Sequence, residues 1–425
     1  MHPLQLHVAI LLGATLLLAG SARTEPATWP QWRGPTRDGQ VMGALWPGKL
    51  DTNHLHRAWS VELGPSYSGP IVGPDLVFTT ETRDKKVEVV TAFARKTGKR
   101  LWRTQWEGAL SVPFFARSNG DWVRSTPALD ADRLYVAGMR DVLICLDARD
   151  GNLIWRKDFV RELGEPVPDF GFVCSPLVDG DSVYVQAGAS FIRLDKTSGR
   201  IVWRALEDQG GMWGGVFSSP TFATLAGKRQ LVVQTRLKLA GIDPADGRVL
   251  WEQPVPAFRG MNILTPVALH DTLFTSTYGG KTIGFKVAHA DGTWTVTESW
   301  RHKAQGYMST PVVIDGVAYN HLRSQRVMAI EVETGREVWT SDESFGKYWS
   351  LVASGERILA LDQRGVLFLI RANREKLDVL DRRKLTDAET WAHLAVAGDQ
   401  LFVRELNALT AWQWRPEMAS VKSPL

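Results

Sequence analysis

Apolar and polar positions along this chain alternate in short runs, separated every few residues by Gly, Asp or Pro. Runs of that length, rich in Val, Ile, Leu, Phe and Tyr and bounded by turn residues, predict β-strands. One passage shows the arrangement. Ser175-Pro176 leads into Leu177-Val178, a turn at Asp179-Gly180-Asp181, Val183-Tyr184-Val185, Phe191-Ile192-Arg193-Leu194, a turn through Gly199, and Ile201-Val202-Trp203. That is four strands in succession. Comparable starts occur at Pro70, Pro127, Pro220, Pro266 and Pro311. Proline fits a strand's first residue because its missing N–H need not join the ladder.

The last two strands of each copy form an eleven-residue unit ending in Trp: residues 92–102, 145–155, 193–203, 241–251 and 329–339. Glycine stands four residues before each Trp (Gly98, Gly151, Gly199, Gly247, Gly335), and an acid eight before all but the first (Asp147, Asp195, Asp243, Glu331). A weaker copy runs through Asp291, Gly292 and Trp300. This predicts a strand, a tight turn with glycine in the left-handed conformation, and a strand carrying a large packed ring. One such hairpin is marginal alone, so its recurrence implies sheets stacked on one another.

Seven repeat tryptophans (Trp59, Trp102, Trp155, Trp203, Trp251, Trp300 and Trp339) follow at intervals of 39 to 53 residues. Four strands in such an interval make a propeller blade. Two further copies begin at Ser350 and His393, and the last is one strand short. The strand carrying Trp59 lacks the three that should precede it. The chain therefore reads as an all-β, eight-bladed β-propeller of four-stranded antiparallel blades. The ring is closed by the N-terminal strand, which completes the last blade and removes the open edge. A single propeller is expected over residues 55–414, after an N-terminal segment over 23–54 and before a tail over 415–425.

With 44% hydrophobic and 23% charged residues the composition is globular, and a net charge of +4 without a dense Lys/Arg run gives no reason to expect nucleic acid. Val8 to Ala19 is a short apolar stretch followed by small residues through Ala22. It predicts a signal peptide over residues 1–22, with an uncleaved anchor as the alternative, since no Lys or Arg precedes it. No other stretch is long and apolar enough for a transmembrane segment. The expectation is a periplasmic or secreted monomer. Export would permit a disulfide between Cys145 and Cys174, but both sit in apolar strand contexts that favour two buried thiols.

Propeller connectivity puts the blade-to-blade connections on the same face as the turns between second and third strands. The connections are aromatic and the turns basic. The binding-surface candidates are Tyr67, Trp122, Phe172, Trp213, Tyr307, Trp349 and Trp391, with Arg124, Arg236, Lys238 and Arg323. Rings interspersed with cations suit a protein partner or an anionic polymer. His54-x-His56 has no recognisable third ligand, and the Ser/Thr-Pro starts lack a nucleophile elbow.

The unit Ala-x-Asp-x-x-x-Gly-x-x-x-Trp resembles the repeat of the pyrroloquinoline-quinone (PQQ)-type propellers, which include quinoprotein alcohol dehydrogenases and BamB-like assembly proteins. Trp29-Pro30-Gln31-Trp32-Arg33-Gly34-Pro35 and Leu55-x-x-Ala58-Trp59 are similar to the family's opening segment, so the resemblance spans residues 29–414. It implies the fold and two functions. The dehydrogenases pair adjacent cysteines against the quinone and hold calcium on Glu, Asn and Asp side chains. Here the cysteines are 29 positions apart, Asp121, Asp169, Asn262 and Glu207 are scattered, and no Cys-x-x-Cys-His haem motif occurs. The BamB-like branch, typically lipidated on a cysteine after the signal, matches in size and blade number; here Leu18-Ala19-Gly20-Ser21 offers serine. The expected function is an exported, non-catalytic binding scaffold with no catalytic residues, no metal and no cofactor. The alternative is a PQQ-dependent dehydrogenase using calcium in an atypical pocket.

Overall fold

The middle strands of each repeat are apolar on both faces and must be covered from both sides. In the first blade the second and third strands, Leu76–Arg83 and Val87–Ala94, are buried over nearly their whole length. The fourth, Arg100–Glu107, alternates between exposed and covered positions. Sheets of this kind are stable when stacked about an axis, each covering its neighbours. The computed structural model describes residues 27–43, 46–114, 120–208 and 216–415. The expected signal peptide over 1–22, residues 416–425 of the tail and Trp213 lie outside the described residues.

Eight four-stranded antiparallel sheets follow one another around the ring. Blade 1 opens with Ile71–Val72, and blades 2 to 7 open with Ala128–Asp130, Leu177–Asp179, Thr221–Leu225, Val267–Leu269, Val312–Ile314 and Trp349–Ser354. Blade 8 comprises Ala395–Ala397, Gln400–Glu405 and Ala408–Trp414, and is completed by Leu55–Glu62, with Leu55 opposite Trp414 and Glu62 opposite Ala408. The ring closes as the sequence predicts. Helix is sparse, with a short α-helical segment, Phe159–Leu163, and a 3₁₀ turn, Phe258–Gly260, among the described residues.

The core is a circuit of interfaces. One cluster joins Phe78 and Val90 of blade 1 to Leu134 and Ile144 of blade 2. The next joins Tyr135 and Cys145 to Val183 and Ile192 of blade 3, and so on around the ring. The largest cluster spans blades 7, 8 and 1 and takes in Trp29, Trp46 and Leu50 from the N-terminal segment. Cys145 and Cys174 are both buried, free thiols in the cluster between blades 2 and 3.

The Trp-ended hairpin locks each blade to the next. The Trp59 indole N–H donates to Arg95 O at 2.9 Å, Trp102 to Ala148 O at 3.0 Å and Trp155 to Lys196 O at 3.1 Å. Trp300 and Trp339 repeat the bond onto Val332 O and Asn373 O. Each acceptor in the first four of these locks lies three residues before the turn glycine of the following blade. That glycine is left-handed (Gly199 φ 70°), and a Cβ on it would stand 2.7 Å from the Trp155 ring. The glycine is needed twice over, for its backbone and for the ring on top of it. Blade 5 departs from the rule. Its last two strands, Thr282–Ala290 and Thr293–His302, run on to a turn at Asp291-Gly292, where a Cβ on Gly292 would meet nothing. With that turn carried outward, the Trp251 indole bonds Gln230 Oε1 of its own blade at 2.6 Å.

The N-terminal segment crosses the channel. Trp29 pairs with Val72 of blade 1 in an antiparallel bridge, and Gln40 with Ala353 of blade 7 in a parallel one. The buried Arg33 guanidinium donates to Thr310 O (2.8 Å) and Pro311 O (2.7 Å) at the start of blade 6. Arg37 donates to Pro176 O (2.8 Å) and Ser175 O (3.1 Å) at the start of blade 3. Burial lowers both guanidinium pKa values to about 10.

Candidate binding funnel

The residues before each innermost strand surround the axis on the face that carries the blade-to-blade connections. Their Ser/Thr hydroxyls form a belt. The backbone N–H groups of Gly69, Thr126, Ser175, Ser219 and Thr265 donate to the hydroxyls of Thr126, Ser175, Ser219, Thr265 and Thr310 at 2.9 to 3.1 Å. The sense reverses where the repeat loses its Pro signature: Trp349 N donates to Ser309 Oγ and Leu394 N to Ser350 Oγ. Backbone donors that cannot join a ladder at a strand's first residue are thus satisfied by the neighbouring blade. The recurring Ser/Thr-Pro is this belt's sequence signature.

Above the belt opens a funnel of about 380 Å³. Trp32 lies at its base, edge-on to His393 with ring centroids 6.0 Å apart, and with the Arg33 and Arg37 guanidiniums 5.6 and 5.4 Å from its ring. Burial, helped by the nearby Arg33 charge, pushes His393 down to about 3, so its imidazole is neutral at physiological pH. The walls include Tyr67, Phe170, Phe217, Met261, Tyr307, Met308, Tyr348 and Trp391. Trp391 stacks on Tyr348 (6.2 Å, 21°) and meets Tyr67 at 5.9 Å. Across the funnel a ladder runs outward from Tyr307 to Tyr278 (4.9 Å) and on to Phe258 (5.8 Å). Arginines lie over its rings, Arg323 at 4.8 Å from Tyr278 and Arg259 at 5.0 Å from Phe258.

Among the described residues two cations line the funnel, Arg124 and Lys347, and no carboxylate does. Arg124 lies 5.1 Å over the Tyr67 ring and donates from Nη2 to Gly120 O at 2.8 Å, while its Nε is buried without a partner. Desolvation lowers its pKa. Lys347 is exposed and has no ion-pair partner among the described residues. Acids stand behind the walls: Asp121 Oδ1 accepts Val112 N, and Glu389 Oε2 accepts the Trp391 indole N–H.

The sequence candidates divide accordingly. Tyr67, Arg124, Tyr307 and Trp391 line the funnel. Trp122 sits half-buried on the same connection as Arg124, and Arg323 is one ring outward on Tyr278. Arg236 pairs with Asp208 at 2.6 Å and Lys238 with Glu252 at 2.9 Å, both away from the funnel. Phe172 and Trp349 need correction as surface residues, because both are core. Phe172 is 3% exposed and packs on Phe159; Trp349 is 1% exposed between His321 and Phe345. Trp349, the first residue of its strand, turns into the core between blades 6 and 7, and Phe172 folds from its connection into the core between blades 2 and 3. Trp32, Phe258 and Tyr278 escape sequence reasoning: no repeat position marks the last two, and an N-terminal Trp carries no signal of reaching the axis.

The residues offered for calcium do not converge. Asn262 Nδ2 donates to Thr235, Arg236 and Val255 carbonyls, and Glu207 faces Arg204 at 3.9 Å. Among the described residues no three His, Cys, Asp or Glu side chains are placed to hold a metal. A funnel whose described lining holds two cations and no carboxylate does not fit the calcium that accompanies the quinone. His54 is taken by Asp51 at 2.8 Å.

The family described as outer membrane protein assembly factor BamB matches residues 86–341. The Shewanella oneidensis protein of that name is 22% identical over 326 residues, 74% of this chain and 76% of the relative. The crystal structure of BamB from Moraxella catarrhalis superposes with a TM-score of 0.60 at 18% identity, covering 86% of this chain and 99% of that one. The quinohemoprotein alcohol dehydrogenase of Comamonas testosteroni reaches 0.60 at 14% identity, over 96% and 83%, a likeness of fold. With more than half its length matched, and with its blades closed and locked as described, the chain belongs to the BamB family of PQQ-like β-propellers.

Proposed function

We propose that this protein is a periplasmic, non-catalytic scaffold that holds a protein partner on the face bearing the funnel, in the assembly of outer membrane proteins. The observation that carries the reading is the funnel's make-up: an aromatic wall and two cations, with no carboxylate among the described lining residues to serve as a base or a metal ligand. The family match supports a role in outer membrane protein assembly, since that is what its relatives are named for. Rings fixed on a rigid scaffold and set among arginines supply contact area at low entropic cost, the usual make-up of protein-binding hot spots. A protein partner is favoured over an anionic polymer because the described lining is mainly aromatic and apolar. Among the described residues no helix is long and apolar enough to cross a membrane.

The test is complementation. In the cell that encodes the protein, its loss should lower the level of outer membrane β-barrel proteins, and the wild-type chain should restore it. A chain carrying Tyr67→Ala, Tyr307→Ala and Trp391→Ala, folded by circular dichroism, should not restore it. Full rescue by that triple variant would show that the partner sits elsewhere.

A further inference from the structure

We infer that the funnel receives an acidic side chain of an extended peptide whose aromatic residue two positions along lies on the Tyr307–Tyr278–Phe258 ladder. This rests on the reading of the funnel face as a protein-binding surface and names what that surface selects.

Three observations lead to it. The first is charge. Arg124 is held in the wall with one hydrogen bond among the described residues, and its Nε is buried without a partner. A desolvated guanidinium left so short of acceptors is costly, and an incoming carboxylate would offset that cost with paired, charge-assisted bonds. Lys347 adds a second cation to the same lining; Asp121, whose charge bears on Arg124, stands behind the wall with Oδ1 taken by Val112 N, and no carboxylate among the described residues lines the funnel. The second is depth. Trp32 and His393 close the base with an aromatic pair that is neutral apart from the arginines beneath it, so nothing at the floor repels an anion. The third is reach. Successive ladder centroids are 4.9 and 5.8 Å apart, so the track from Tyr307 to Phe258 is as long as about three residues of extended chain. Phe258 is 54% exposed at its outer end. A small organic acid would fill the funnel and leave that track bare. Along a strand, alternate side chains face one way, so an acid and an aromatic residue can be presented to funnel and ladder from one backbone. Arg323 and Arg259, over Tyr278 and Phe258, fit an acidic segment better than a basic one.

The experiment uses the full mature chain and three probes followed by calorimetry: the peptide acetyl-Ser-Gly-Asp-Ser-Phe-Gly-Ser-amide, its Asn counterpart, and phenylacetate. The acidic peptide should bind about tenfold or more tightly than the Asn peptide, the range a charge-assisted contact gives. Arg124→Ala and Lys347→Ala should each reduce that preference, Arg124→Lys should retain part of it, and Phe258→Ala should weaken both peptides alike. Equal binding of the Asp and Asn peptides, lost in the Tyr307→Ala, Trp391→Ala protein, would overturn the acidic assignment while leaving the face a binding surface. Phenylacetate binding as tightly as the peptide would overturn the ladder's part. Absence of binding by both peptides to a correctly folded protein would overturn the inference, with the complementation assay deciding the wider reading separately.

Discussion

At the scale of single residues, glycines that look alike in the sequence carry different loads. Gly199 has φ 70° and would place a Cβ 2.7 Å from the Trp155 ring, whereas Gly292 has φ 75° with nothing in reach. Gly199→Ala should therefore cost both backbone strain and displacement of the interlocking indole, about 2–4 kcal/mol in urea unfolding, and Gly292→Ala only the strain, about 1 kcal/mol. Asp141 makes a second case. It is buried, accepts the Gly188 N–H at 2.7 Å, and burial, reinforced by the neighbouring Asp158 charge, raises its carboxyl to about 7. The folded protein then holds a proton that the unfolded chain has released between its ordinary value of 3.8 and about 7. Stability from this group is thus greatest below that window and falls as pH rises through it, by up to about 1.4 kcal/mol for each pH unit. Asp141→Asn keeps the Gly188 acceptor and tolerates the local φ of 58°. It should flatten the stability profile between pH 4 and 7, measured by urea midpoints. The repeat made the glycines legible in the sequence, while Asp141 was not, because nothing local distinguishes a turn aspartate that another blade will cover.

At the scale of elements, the N-terminal segment does more than its composition suggests. Its Arg33 satisfies carbonyls at the start of blade 6, so Arg33→Ala should leave Thr310 O and Pro311 O buried without donors and destabilise the protein by about 3–5 kcal/mol. Arg33→Lys should rescue little, since one ammonium cannot reproduce the fork. Removing residues 27–63 strips blade 8 of Leu55–Glu62 and bares the Ala408–Trp414 edge. Light scattering should then detect association, as expected of an uncovered strand. The strands, their order and the closing partner were readable from periodic Pro, Gly and Trp, because each records a local backbone demand. The plug was not readable: Arg33 and Arg37 find their acceptors across the axis, and no local pattern encodes that. Phe172 and Trp349 misled for the related reason that connection residues and blade-start residues share a composition but face opposite ways.

At the scale of the whole molecule, one ring of eight interlocked sheets turns local repetition into a single concave site. The fold was therefore legible almost entirely, and the site in part. Tyr67, Arg124, Tyr307 and Trp391 sit at positions relative to the blades that the repeat fixes, whereas the ladder through Tyr278 and Phe258 depends on how two loops meet. The plug has a further consequence, which concerns time. Arg33 and its acceptor Thr310 are 277 positions apart, and Ser60 meets Thr410 across 350. An early part of the chain is bonded to parts made hundreds of residues later. A ribosome or translocon delivering the chain in order releases seven blades' worth of sequence before Leu55–Glu62 has a strand to join. Closure thus waits until Ala408–Trp414 has emerged, and until then the nascent protein carries one uncovered edge.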